Sequence, residues 1–480
     1  MNLTELKSRM VSGSFWAIAG ELAAGGARAL SYVVYAKLLS PTDFGLIGFA
    51  LLIVNLFPMV LDNSLGLALM RSAEQDDRVQ STTFYLNVAL ALVGIALLCL
   101  VSPWAGQFLH DSRIAVVLPV LSIQLLLNSL CSVHMASARR KFEYRRLAPV
   151  RLIASLCSLA LGLPLAFMGA GFWALVAASI GGPLGQMIAA HVLLRWWPKS
   201  RFDWQIAKAI SSFASWVAID MGVTWMVMSG GGFFLAFYLG THDLGMFRLS
   251  DQIDTYCLGT VFTPLIPVLY GSFCEVSAQP GASWRIFERS TAVLTPISLA
   301  VAGIVIIASS PVEAMIGVRW HGVSGVIMLN AVADGISYGT LAVPSLLRAH
   351  GLAKVVALLR VGTVIGQVAV YMAVAPRGLT AFLYGKLALE IAIYIVSFLI
   401  LRKTFARPVL GIMRRQFWQA ALVALCSAAG VVVARHTAAF GAAAALAAGV
   451  LAFCVPVGAF LFATQRHAVA SAVHRWVTAR

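Results

Sequence analysis

The chain has 480 residues, 60% of them hydrophobic and only 11% charged, with a formal net charge of +16. A soluble domain carries roughly 25% charged residues, so a single water-soluble core is excluded and the expected solvent is lipid. The positive charge gathers in clusters between apolar runs, which argues for membrane topology and against nucleic acid as its cause.

A membrane helix needs about 20 mostly apolar residues. The runs that meet this are 11–38, 44–66, 82–103, 114–136, 147–168, 171–194, 208–238, 243–271, 288–309, 323–347, 351–375, 378–401, 416–435 and 438–464. The prediction is therefore an all-α polytopic membrane protein of about fourteen transmembrane helices. Lys7 and Arg9 precede the first run, but that run is long and holds Glu21 and Arg28, so it reads as an uncleaved first helix. The seventh and eighth runs carry expected interruptions at Gly230-Gly231-Gly232 and at Pro264 and Pro267. Such breaks are tolerated where helices line a cavity.

Placing both termini in the cytoplasm puts the clusters Arg139-Arg140-Lys141, Arg145-Arg146, Arg402-Lys403 and Arg414-Arg415 on the inner side. The longest outer loops, 102–113 and 310–322, run only about a dozen residues. The cysteines lie mostly in or beside apolar runs without C-x-x-C spacing, and read as small buried hydrophobes.

One signature appears twice. Leu39-Ser40-Pro41-Thr42-Asp43-Phe44-Gly45 sits between the first and second runs, and Leu239-Gly240-Thr241-His242-Asp243-Leu244-Gly245 between the seventh and eighth. An even number of helices separates the copies, so both face the same way. The reading is a parallel repeat: a first lobe over 1–200, a second over 201–402, and two added helices with a cytoplasmic tail over 403–480. Both glycines are expected in tight turns, with each Asp capping the incoming helix. The run 438–450, rich in Ala and Gly, suits close helix packing.

The segment from Ala36 through Leu46 and Ile47, followed by Asp62-Asn63-Ser64-Leu65-Gly66-Leu67-Ala68-Leu69-Met70-Arg71, resembles the start of bacterial polysaccharide flippases. These are the Wzx-type and lipopolysaccharide-biosynthesis transporters of the multidrug/oligosaccharidyl-lipid/polysaccharide exporter superfamily. The second copy, with Thr263-Pro264-Leu265-Ile266-Pro267 further on, is similar to their eighth helix. The resemblance implies a V-shaped fold of two six-helix bundles in the inner membrane. It also implies transfer of an undecaprenyl-pyrophosphate-linked oligosaccharide between leaflets, for exopolysaccharide or lipopolysaccharide assembly. The implied partners are the lipid-linked oligosaccharide, membrane lipids, and the polymerase and export machinery of the same pathway.

A charge inside the membrane is costly, so each one needs a reason. Arg28, Arg248, Arg360 and Lys386 are the candidates for binding substrate, because cations meet phosphates and the guanidinium fork matches phosphate oxygens. Glu21, Asp62, Asp220, Asp251, Asp254, Asp334 and Glu390 are candidates for coupling to a cation or proton, or for structural pairing. Lys386 and Glu390 lie four apart and are placed to neutralise each other; Arg248 and Asp251 are placed to do likewise. Trp104, Trp173, Trp196 and Trp197 mark span ends and read as interface anchors. Phe233, Phe234, Phe237 and Tyr238 read as lipid- or helix-packing residues.

No G-x-x-x-x-G-K and no H-E-x-x-H occurs, so no catalytic residues, cofactor or metal are expected. Two alternatives stay open: an ion-coupled drug or cation antiporter of the same superfamily, and a membrane glycan polymerase or ligase. Several cavity arginines argue against cationic cargo, and the short outer loops argue against an enzyme.

Overall fold

The structure is a computed structural model. It describes Gly25, Arg28 and residues 31–458, apart from 63, 67, 68, 70–76, 110, 141, 142, 278, 280, 438, 440 and 443. Glu21, Lys7, Arg9, Arg71, Lys141 and the tail after 458 lie outside the described residues. Among those described, every regular element is helical.

The elements are α1 (31–38), α2 (Pro41–Phe57), α3 (Asp77–Leu109), α4 (Ile114–Arg140), α5 (Tyr144–Phe167), α6 (Trp173–Leu194) and α7 (Trp204–Asp254). They continue as α8 (Leu265–Glu275), α9 (Ala282–Ile316), α10 (Val323–Gly339), α11 (Ala342–Ala349) and α12 (Ala353–Val374). The last are α13 (Leu379–Phe405), α14 (Leu410–Thr437) and α15 (Ala444–Gly458). A π-helical turn, Pro58–Asp62, ends α2, and another, Thr255–Gly259, follows α7.

Among the described residues, eleven helical stretches are long and apolar enough to cross a membrane. One of them, Ala214–Glu275, has 62 residues, about 93 Å of helix at 1.5 Å per residue. A bilayer core is ~30 Å thick, so this stretch holds two spans. They meet at Gly240, whose φ of 78° and ψ of −168° break the helix, a conformation that suits a residue without Cβ. Counted so, the described residues hold twelve spans and the shorter apolar helix α15; most of the first expected run, 11–38, lies outside the described residues. The protein is an all-α, multi-pass membrane protein.

The break points partly differ from expectation. Gly230, Gly231 and Gly232 run through α7 as regular helix. Gly232 is needed for packing, since a Cβ there would sit 2.7 Å from a Leu52 methyl. Pro264 does interrupt, between Phe262 and Leu265, because it has no N–H to donate and its ring crowds the preceding turn.

The chain divides into two compact units. The first is Met1–Leu249 with Gln367–Leu379; the second is Ser250–Gly366 with Thr380–Arg480. In the first, α5 packs on α6, α3 on α4, and α4 on both α6 and α2. A non-helical strap, 195–203, is latched to the start of α3. The Ser81 hydroxyl accepts from the Lys199 and Ser200 amides at 3.2 and 3.3 Å, and the Thr82 hydroxyl from the Asp203 amide at 3.2 Å. Asp203 in turn caps α7, its carboxylate accepting from the Gln205 amide at 2.9 Å.

In the second unit, α9 packs on α10 and α14, and α8 on α11. There α14 and α15 approach through glycine: a Cβ on Gly430 would lie 3.0 Å from the Gly449 carbonyl, and one on Gly449 2.9 Å from the Gly430 carbonyl. The small residues of the 438–450 run permit that approach.

Candidate functional site

The twice-written signature forms a two-fold contact inside the first unit. Ser40 caps α2, its hydroxyl accepting from the Asp43 amide at 3.3 Å, while the Asp43 carboxylate accepts from the Ser40 amide at 3.2 Å. This reciprocal capping box matches the role expected of Asp43. The glycines do not sit in turns as expected; they lie within helix, where two backbones cross. A Cβ on Gly45 would overlap the Thr241 carbonyl, and one on Gly245 would overlap the Pro41 carbonyl. Pro41 and Thr241 occupy the same place in the two copies, so each copy presses its glycine on the first helical residue of the other. Three residues on, Gly48 accommodates its counterpart Arg248, whose Cγ lies 2.8 Å from where a Cβ would stand.

Arg113 joins this end of the unit. It forks onto Asp111 at 2.7 to 3.1 Å, lies 3.5 Å from Asp43, and sits 5.6 Å from the Phe172 ring. Its hydrogen bonds hold the Asp111 carboxyl below the usual carboxylate range, and Asp111 in turn raises the guanidinium.

Of the other predicted residues in the first unit, Arg28 is helical and half-buried, and its carbonyl accepts from the Ser31 hydroxyl at 2.6 Å. Asp220 is exposed on α7, and its carbonyl takes the Thr224 hydroxyl at 2.8 Å. Asp62 closes the π-helical turn after α2 and lines a small cavity with Phe57, Leu61, Ala91 and Leu125. Asn87 hydrogen-bonds it and also donates to the Ser132 hydroxyl of α4. π-Helical turns recur at functional sites.

The second unit brings its charges together. Asp254 ends α7, Asn330 and Asp334 stand one turn apart on α10, and Lys386 and Glu390 one turn apart on α13. The Lys386 ammonium donates to Asp334 Oδ1 at 2.7 Å and also to Asn330 Oδ1. The Asn330 amide donates to Asp254 Oδ2 at 2.7 Å. Asp254 is 1% exposed and Asn330 fully buried. The short contacts of Lys386 go to α10, while Glu390, one turn along α13, stays within its electrostatic reach, the neighbour expected from their spacing. The Lys386 side chain reaches two oxygens of α10, and the Glu390 carboxylate is bonded by Ser337. Asp251 is half-buried beside the cluster, and Arg360 is half-buried on α12.

Sequence reasoning passed over Asn330 and Asn87 because an amide carries no charge to flag it. The available signal was an Asn at i−4 from Asp334 in an apolar run. Trp196 also departs from its expected role. It packs inward on Phe84 and His134, at ring separations of 6.0 and 5.3 Å, with its carbonyl 2.8 Å from His134 Nε2. Trp104 and Trp197 are exposed, as interface anchors are. All seven cysteines are free.

A membrane-spanning bundle with repeated crossing helices and charges gathered in apolar surroundings has the make-up of a transporter. The family model described as "Polysaccharide biosynthesis protein" matches residues 34–325, and the chain belongs to that family. The succinoglycan biosynthesis transport protein ExoT of Rhizobium meliloti (strain 1021) is 22% identical over 67% of this chain. The match spans 65% of that relative, just under two thirds of its length. The lipopolysaccharide biosynthesis protein WzxC of Escherichia coli (strain K12) is 21% identical over 86% of this chain and 84% of its own.

Among solved structures, the lipid II flippase MurJ in an inward closed conformation superposes with a TM-score of 0.71 at 12% identity, covering 96% of this chain and 100% of its own. An inward-facing multidrug resistance MATE family transporter of the MOP superfamily gives a TM-score of 0.64 at 14% identity, covering 81% and 94%. At these identities the structures share the fold.

Proposed function

We propose that the protein is a flippase that carries a lipid-linked oligosaccharide, of the undecaprenyl-pyrophosphate type, across the bacterial inner membrane by alternating access. The observation that carries this reading is the family match over residues 34–325, within a chain built almost wholly of membrane-spanning helices. The relatives named for succinoglycan transport and lipopolysaccharide biosynthesis support export of a glycan for exopolysaccharide or lipopolysaccharide assembly. The reading assigns no catalytic residue: the described connections between helices are short, and the protein moves its cargo unchanged.

In this reading 1–200 and 201–402 are two lobes of six helices, 403–480 is an addition, and both termini face the cytoplasm. The reciprocal contact of Gly45 and Gly245 supports the parallel repeat. Within the first unit, Arg28 and Arg248 are the candidates to meet the pyrophosphate, since a guanidinium in an apolar span is stabilised by phosphate oxygens in a bidentate fork.

The test is export by a strain that depends on this protein. Arg28→Ala is expected to abolish export while leaving protein level and membrane insertion unchanged. Arg28→Lys is expected to restore part of it, since it keeps the charge and loses the fork. Full export by Arg28→Ala would remove that residue from the site. Normal lipid-linked intermediates on both sides of the membrane in a strain lacking the protein would refute the flippase reading.

A further inference from the structure

The buried cluster of the second unit holds more acid than base. Asp254 and Asp334 share the one ammonium of Lys386 through Asn330, and Glu390 lies within its electrostatic reach. The groups facing Asp254 are Asp251 and Cys257 from its own chain segment, Asp334 and Tyr338 from α10, and Lys386 from α13, with Glu390 of α13 facing Lys386 and Asp334. Only Lys386 among these carries positive charge.

The two oxygens of Asp254 are treated unequally. Oδ2 takes the Asn330 amide at 2.7 Å. Oδ1 is buried and has no hydrogen-bond partner among the described residues. An ionised carboxylate with a bare oxygen in an apolar interior is unfavourable, and it is relieved by taking up a cation or a proton. The position a metal ion would occupy, between the Asp334 carboxylate and the Asn330 carbonyl, is already filled by the Lys386 ammonium, which is tethered to α13 and only 11% exposed.

We propose that Asp254 takes up and releases a proton on Oδ1, and that Lys386 is a built-in cation that excludes metal ions from the cluster. The proton adds to an oxygen lone pair of the carboxylate and leaves to solvent from the same atom; no other bond changes. Asn330 keeps its donation to Oδ2 in both forms and links the event to Lys386 and Asp334. This deepens the transporter reading: the ion coupled to cargo movement is a proton, and its site lies within one unit.

The test needs no cargo, so it is independent of the flippase reading. The full chain in lipid nanodiscs is compared by infrared difference spectroscopy between acid and alkaline buffer. The expected result is a protonated-carboxyl C=O band that vanishes in Asp254→Asn and persists, shifted, in Asp254→Glu. The same band should survive in Asp251→Asn. Sodium chloride exchanged for choline chloride at constant pH should leave the wild-type band unchanged, whereas in Lys386→Met sodium should reduce it. An unaltered pH difference spectrum in Asp254→Asn would overturn the proposal. So would loss of the wild-type band on adding sodium, which would assign the site to a metal ion. A strain that exports normally without the protein, beside an intact Asp254 band, would leave the proton site standing and dispose of the flippase reading alone.

Discussion

Gly45→Ala tests the reciprocal contact directly. The added Cβ meets the Thr241 carbonyl and stands 3.0 Å from the Gly245 amide nitrogen. Both are backbone atoms, so no side-chain rotation relieves the overlap and the two helices must part. Overpacking of this kind costs about 1–3 kcal/mol, and a rigid obstacle puts the cost near ~3 kcal/mol on that scale. Alanine also gains about 1 kcal/mol over glycine in a helix, so the net loss is about 2 kcal/mol. Gly230→Ala is the control: nothing lies within 4 Å of its added Cβ, and only the ~1 kcal/mol helix gain remains. The double variant Gly45→Ala/Gly245→Ala should lose less than the sum of its parts, because one separation of the helices relieves both overlaps. Thermal unfolding in detergent, followed by tryptophan fluorescence, reads these differences. A melting temperature for Gly45→Ala at or above that of Gly230→Ala would refute the contact.

Reporter fusions after Arg146, Lys199 and Arg407 should report cytoplasm, and fusions near Asp43, Asp243 and Arg377 should report the outer side; an inverted pattern would overturn the orientation. Gln416 of α14 donates to Thr295 at 2.8 Å and accepts from the Tyr394 hydroxyl at 2.6 Å. Gln416→Met removes the partner of the half-buried Tyr394 hydroxyl and a bond to the buried Thr295, and should lower stability in detergent by about 1–3 kcal/mol, with Tyr394→Phe in the same background recovering part of the loss. Asp111 is held below its usual range by Arg113, so its contribution is present above the ordinary carboxylate pKa and lost as pH falls through the lowered value. Asp111→Asn should therefore melt lower than wild type at neutral pH and converge with it in acid.

The helical class, most of the spans and the twice-written signature were legible in the sequence because they depend on local quantities. An apolar run of about 20 residues has few alternatives in lipid, and two copies of one signature remain visible whatever they touch. The capping role of Asp43 was legible for the same reason: a box spans four residues. What the charges and glycines touch was decided by the tertiary structure. Lys386 lies four residues from Glu390 but bonds Asp334 and Asn330, because α10 and α13 turn those faces toward each other. Asp43 meets Arg113 from a loop 70 positions away, and Gly45 meets Thr241 across a helix crossing. Trp196 looked like an interface anchor, yet the strap folds it against His134. Hydropathy measures how each residue prefers lipid or water one at a time, whereas pairing depends on how helices far apart in sequence rotate and cross. Those angles are set by packing of both partners together, so they become readable only once the helices are assembled.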